Sequence, residues 1–208
     1  MRLWIVRHGA SVAAGEPRFV GHADLPLSVE GQLQATLTAK YLRRRHFDAV
    51  ITSDLQRAVA TAEIIAQPQS LIIERDRDLR EMSLGSWDGQ LYAEIQASDP
   101  TGFAVWNTNP TLHTPSGGET PEGVQHRMMQ AMYRYLARYA GGNVVWVSHN
   151  RAIRVFLCGI LGMNLDRWHQ LRIANCAITD LDVRTDQTIV RCLNCTMHLG
   201  IPQSQTVP

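Results

Sequence analysis

The sequence predicts an α/β fold: a three-layer α/β/α sandwich with a mainly parallel central sheet and an antiparallel edge strand. Two observations carry this. Apolar runs of strand length recur at Leu3-Trp4-Ile5-Val6, Ala49-Val50-Ile51-Thr52, Leu71-Ile72-Ile73 and Val144-Val145-Trp146-Val147. Between them lie stretches whose apolar residues have helical spacing. Such alternation implies a sheet covered on both faces.

In chain order, residues 2–7 form the first strand. The segment from Gly21 to Pro26 is turn-rich, and Ser28 is placed to cap a helix. That helix carries Val29, Leu33, Leu37, Tyr41 and Leu42 and runs to about residue 45. Arg43-Arg44-Arg45 then falls at its carboxyl end, where cations are favoured. The second strand, 49–52, ends at Ser53-Asp54, which opens a helix through Ala58, Ala62, Ile65 and Ala66. Leu71 to Ile73 is the third strand. Residues 80–120 are irregular, rich in Gly, Pro, Trp, Ser and Asp, with short helical pieces near 90–108. Too long for a plain connection, the stretch from about 82 to 120 is expected to be a lid over one sheet edge. A long helix covers 119–140, and the fourth strand ends in Ser148-His149. An apolar helix at 151–162 and two strands near 177–183 and 188–194 complete one domain of residues 1–200. The tail 201–208 is expected to be disordered.

With 208 residues, 45% hydrophobic and 19% charged, the chain reads as an ordinary globular domain. A net charge of +1 gives no support for a nucleic-acid or membrane partner. No signal peptide or membrane-spanning stretch is read from it, so the expected location is cytoplasmic. Cys192 and Cys195 have C-x-x-C spacing. Positions three apart on an extended strand face opposite sides, so no joint metal or redox site is expected there.

The chemistry is at the strand ends. The first strand delivers Arg7 and His8, and Gly9 permits a sharp turn. The second delivers Ser53, with Arg57 one turn into the next helix, and the fourth delivers His149. In open α/β sheets, ligands bind at the carboxyl edge of the strands. If these strands are neighbours, two guanidiniums and two imidazoles converge there on one tetrahedral anion, a phosphate. A neutral imidazole can attack phosphorus, provided its other ring nitrogen donates to a backbone carbonyl. Charge and positioning carry such a transfer, so neither metal nor other cofactor is called for. Glu81, enclosed near apolar groups, is the candidate proton donor to the leaving oxygen. His149, if protonated, would add positive charge against the phosphate. Asn150 is placed to reach the pocket or to cap the next helix. Trp87, Trp106 and Trp168 are expected to be packing residues, and His46, His113, His126, His169 and His198 to be structural.

Leu3 to Gly9, Ser53 to Ala58, Leu79-Arg80-Glu81, Gly117-Gly118-Glu119 and Val147-Ser148-His149 together resemble the ordered motifs of the histidine phosphatase superfamily, also called the phosphoglycerate mutase-like family. Gly21, the run Asp24 to Ser28, and Gly31 also match. The resemblance extends to about residue 195. It implies that His8 is the phosphorylated nucleophile, that Arg7, Arg57 and His149 form the phosphate pocket, and that Glu81 is the proton donor. Ser11 stands where members carry Ser or Thr. Gly21 and His22 fall in a segment resembling a substrate-facing loop. Ala10 and Ala14 depart from the family, which often has Glu or Gln, and a phosphate-touching Asn, at those positions.

The implied function is a metal-independent phosphomonoesterase acting on a small phosphorylated metabolite through a phosphohistidine. Segment 79–89 is similar to alpha-ribazole phosphatases, and residues 193–200 to metal-independent phosphoserine phosphatases. The alternatives are phosphoglycerate mutase-type transfer and a non-catalytic phospho-ligand binder. The absence of basic residues between Met82 and Pro115 speaks against a glyceric-acid mutase, and the presence of His8 and Glu81 against a mere binder. The sequence leaves the oligomeric state open, a dimer included.

Overall fold

The computed structural model describes residues 1–200, so the expectation for the tail 201–208 lies outside the described residues. Six strands form one sheet: β1 (Arg2–Arg7), β2 (Ala49–Thr52), β3 (Ile73–Arg75), β4 (Asn143–Ser148), β5 (Ile178–Val183) and β6 (Thr188–Cys195). Their spatial order is β3-β2-β4-β1-β5-β6. The first four in that order run parallel, while β5 and β6 make an antiparallel pair at one edge. Helices α1 (Val29–Leu42), α2 (Gln56–Ala66), α5 (Pro121–Arg138) and α6 (Asn150–Leu161) are the long ones. Two shorter helices, α3 (Tyr92–Ser98) and α4 (Pro100–Thr108), occupy the segment expected to be a lid.

Alternation along the central strands assigns the two faces. Leu3 and Ile5 of β1, with Val144 and Trp146 of β4, face a core that includes Met128, Met132, Ile153 and Phe156 from α5 and α6. Trp4 and Val6, with Val145 and Val147, face the opposite core with Ala39 and Leu42 of α1 and Ala58, Ala62 and Ile65 of α2. The centre of the sheet is thus buried on both sides, which is why β1, β2 and β4 read as continuous apolar runs. Trp87, Trp106 and Trp168 are buried in the first core, where Phe19 lies with its ring 5.2 Å from Trp87.

Three local expectations need correction. The third strand begins at Ile73 rather than Leu71, pairing Ile73, Glu74 and Arg75 with Val50, Ile51 and Thr52. Ile72 is exposed. As an edge strand it gains little from apolar content, and Glu74 instead accepts hydrogen bonds from Tyr135 and Arg138 of α5. The long helix starts at Pro121, with Thr120 as its cap, which leaves Glu119 free to pair with Arg127. Finally, Cys192 and Cys195 share one face of β6. A bulge sets Ile178 opposite Cys195 and Asp180 opposite Cys192, with Asn194 in the left-handed region at φ 53°. The inserted residue reverses the alternation, and the two thiols contact each other.

Candidate active site

Register brings the strand ends together. Arg7 of β1 lies beside Ser148 of β4, and Val147 beside Thr52 of β2. The residues that follow, His8, His149 and Ser53, therefore leave the same edge of three adjacent strands. The rings of His8 and His149 are 4.9 Å apart, centre to centre, at 54°. The relative exposures of His8, Arg57, Glu81 and His149 are 6%, 1%, 3% and 0%.

The tautomer of His8 follows from its partners. Nδ1 lies 2.7 Å from the carbonyl oxygen of Gly9, which can only accept, so Nδ1 carries the proton. Nε2 then presents its lone pair, toward which Arg57 Nε points from 3.3 Å. Burial, then the charges of Arg57 and Arg7, hold His8 well below the usual imidazole pKa. His149 is likewise held down by burial and Arg57. Both shifts favour the neutral imidazole. Both ring nitrogens of His149 are buried without a partner.

Arg57 is oriented by a chain of contacts that begins at Asp88. The Asp88 carboxylate accepts from the backbone N–H groups of Gly21, His22 and Ala23. The carbonyls of Gly21 and Ala23 then accept from Arg57, each at 2.8 Å. Gly21 thus holds Arg57 through its carbonyl. A Cβ there would come within 2.8 Å of the Met82 carbonyl oxygen, which explains the glycine. The ring of His22 hydrogen-bonds the Glu81 carbonyl at 2.8 Å. Gly21 and His22, expected to face substrate, also position other site residues. Arg7 donates to the Ile173 carbonyl at 2.7 Å, and its Nε is buried without a partner. Burial and the charge of Arg154 bring its pKa down to about 10.

Glu81 is buried, but not among apolar groups alone. Its Oε1 accepts from the N–H of Met82 at 2.8 Å and of Ala152 at 3.0 Å, and its Oε2 from that of Arg151 at 3.2 Å. The carboxyl group therefore sits on the first turn of α6, immediately after His149. Arg127 secures the segment before it by donating to the carbonyls of Asp78, Arg80 and Glu81. Arg80 clamps Asp54 in bidentate fashion, and Ser148 Oγ donates to the Leu79 carbonyl at 2.8 Å.

Ser11 is buried and joined to Leu27 by a backbone bridge that closes the loop after His8. Asn150 is the first residue of α6, which His149 caps. Its Oδ1 is buried without a partner, so it is not spent on capping. The tight turn after His8 needs close backbone approach. Gly9 N donates to Thr61 Oγ1 and Ala10 N to Gln34 Oε1, and Gly31 of α1 packs against the backbone of Ala10. Asn175 donates to the His8 carbonyl at 3.0 Å.

Several of these groups escape sequence reasoning: Asp88, Arg127, Asn175, Arg151 and Arg154. For the last two a signal existed. They follow His149 at two and five residues, which places Arg154 on the same helical face as Asn150. Of the eight buried side-chain atoms left without a partner, five belong to Arg7, His149, Asn150 and Arg154. Buried polar atoms are normally satisfied, and such a concentration marks a place where a polar ligand belongs. Among the described residues, no three His, Cys, Asp or Glu side chains are placed to hold a metal ion.

Fold and site together define an α/β protein with buried arginine and histidine side chains gathered at the carboxyl edge of its sheet. The chain belongs to the histidine phosphatase superfamily (branch 1), which it matches over residues 3–196. It is 30% identical over 200 residues to phosphoserine phosphatase 1 of Hydrogenobacter thermophilus, covering 96% of this chain and 95% of that protein. It is 26% identical to the adenosylcobalamin/alpha-ribazole phosphatase of Escherichia coli, covering 93% and 96% respectively. The solved structure of Bacillus stearothermophilus YhfR superposes with a TM-score of 0.91 at 29% identity, covering 95% of this chain and 98% of the other.

Proposed function

We infer that this phosphatase hydrolyses a small phosphorylated metabolite through a phosphohistidine on His8, without a metal. The observation that carries the reading is the state of His8: neutral, proton on Nδ1, lone pair on Nε2 directed at the guanidinium of Arg57. A phosphate dianion placed there meets Arg57, Arg7 and the unpartnered nitrogens of His149.

His8 Nε2 attacks phosphorus, the bond to the leaving oxygen breaks, and Glu81 supplies that oxygen's proton. Water then attacks the phosphohistidine and gives a proton to the Glu81 carboxylate. The nitrogen–phosphorus bond breaks, its electron pair returns to Nε2, and inorganic phosphate leaves. His149, held toward its neutral form by burial, donates a hydrogen bond to a phosphoryl oxygen.

The test is rapid-quench labelling with p-nitrophenyl phosphate in the presence of a chelator, comparing wild type with His8→Ala. Wild type is expected to accumulate an acid-labile, base-stable phosphoprotein that decays to inorganic phosphate, and His8→Ala neither to label nor to turn over. Wild-type turnover in His8→Ala would overturn the assignment. Transfer of the phosphoryl group to an added glycerate faster than to water would favour the mutase alternative.

A further inference from the structure

We propose that Arg154 forms a second anion subsite beside the phosphate pocket, so that the leaving group of the substrate carries a carboxylate or an equivalent anion. This rests on the phosphatase reading above and adds the class of its substrate.

Arg154 lies on α6 one helical turn beyond Asn150, on the face that also presents Asn150 to the site. Its Nε is buried and has no hydrogen-bond partner, and Asn150 Oδ1 below it is in the same condition. Arg154 is half-buried, and a donor nitrogen withdrawn from water loses solvation unless an acceptor replaces it. Nothing in the protein fully does so. The only nearby carboxylate is Glu81, whose oxygens are already taken by three backbone N–H groups. The neighbouring charges otherwise have the same sign. Arg154 lowers the pKa of Arg7, and Arg151 and Arg172 lower that of Arg154. Burial and then Arg151 bring the pKa of Arg154 down to about 10, so it remains a cation at neutral pH.

Charge balance points the same way. Arg7, Arg57, Arg151 and Arg154 are the guanidiniums around Glu81. Asp24 and Asp88 act on Arg57, which leaves Arg7, Arg151 and Arg154 to face the phosphate and any second anion. Arg57 is committed to His8 and to the carbonyls of Gly21 and Ala23. Arg151 donates to the Val20 carbonyl and lies over the Phe19 ring. Arg7 and Arg154 each keep an Nε without a partner; Arg7 leaves β1 beside His8 and falls to the phosphate, so a second anion falls to Arg154, on the side of Tyr92 of α3. The lid itself supplies no basic residue, yet α6 brings one in beneath it. A substrate with an anion a few bonds from its phosphoryl ester satisfies both ends at once, and a fork-shaped contact to a carboxylate suits arginine.

The experiment uses matched substrates that differ in the second anion: O-phosphoserine against O-phosphoethanolamine, and 3-phosphoglycerate against glycerol 3-phosphate. kcat/KM is measured for each, with p-nitrophenyl phosphate as reference, for wild type, Arg154→Met and Arg154→Lys. A hydrogen bond to a charged group predicts that wild type prefers at least one carboxylate-bearing partner by about 10- to 100-fold. That preference is expected to shrink to within about threefold in Arg154→Met and to recover in part in Arg154→Lys. The loss should appear in the ratio between partners rather than equally in all substrates. A wild type that prefers neither carboxylate-bearing substrate overturns the proposal, and this comparison stands even where a variant fails to fold. A preference undiminished in a folded Arg154→Met also overturns it. Loss of the phosphatase reading has a different signature: a wild type that releases no phosphate from p-nitrophenyl phosphate and forms no phosphohistidine.

Discussion

Acidification is expected to destabilise this protein through the same two rings that its chemistry uses. His8 and His149 are fully buried, and both are held well below the ordinary value of 6.5, chiefly by burial and then by Arg57. Unfolding returns each to that ordinary value. Between its folded and unfolded pKa, the unfolded chain therefore binds the extra proton. Stability contributed by the neutral, buried rings is complete above about pH 6.5 and falls as the pH drops below it, until the folded-state pKa is reached. From pH 7 to pH 5.5 the linkage relation gives a loss on the order of 1 kcal/mol per histidine, or about 2–3 kcal/mol for the pair. For a domain of this size that corresponds to about 5–10 °C in Tm. The assay is urea or thermal unfolding at pH 7 and pH 5.5 in phosphate-free buffer, since phosphate would stabilise the native state by binding. His8→Asn and His149→Asn each remove one titrating ring and should each lose on the order of 1 kcal/mol less than wild type over this interval. His198, also pushed down by burial, contributes with the same sign but is present in every variant. Equal pH dependence in wild type and His8→Asn would refute the argument, because it would mean that His8 takes up its proton as readily in the folded state as in the unfolded chain.

Two further outcomes follow from the site. Glu81→Gln should lower kcat by about 100-fold or more on alkyl phosphates, where the leaving alkoxide needs a proton, and much less on p-nitrophenyl phosphate. Equal losses on both, read from steady-state rates, would contradict proton donation. Gly31→Ala should cost about 1–3 kcal/mol in unfolding free energy and reduce kcat/KM as well, because the added Cβ would collide with the backbone of Ala10 in the turn that carries His8. A variant with wild-type kinetics and Tm would show that this turn can yield.

The strand ends were legible because their signal is local. A short apolar run followed by Arg7-His8-Gly9, or by Ser148-His149, states both where a strand stops and which side chain follows. Alternation of strands and helices then implied that the ends share one edge. The sequence likewise announced the tryptophans as core and Glu81 as a site residue. It misjudged Glu81's surroundings, because three backbone N–H groups leave no mark on composition. It also misread the face of Cys195, since a single left-handed residue at Asn194 inverts side-chain alternation for everything beyond it.

What the sequence by itself determined is the sheet and the candidate groups it gathers at one edge, since both follow from short-range patterns of polarity and turn chemistry. What only the tertiary structure decided is how those groups are aimed and charged. The tautomer of His8 depends on a carbonyl one residue away. The grip on Arg57 passes through Asp88 to two carbonyls in a loop, and the unpartnered cation at Arg154 exists because a helix from late in the chain packs beneath a lid from the middle. Hydrogen bonds to the backbone and the loss of water are properties of the packed molecule, and no residue type encodes them alone.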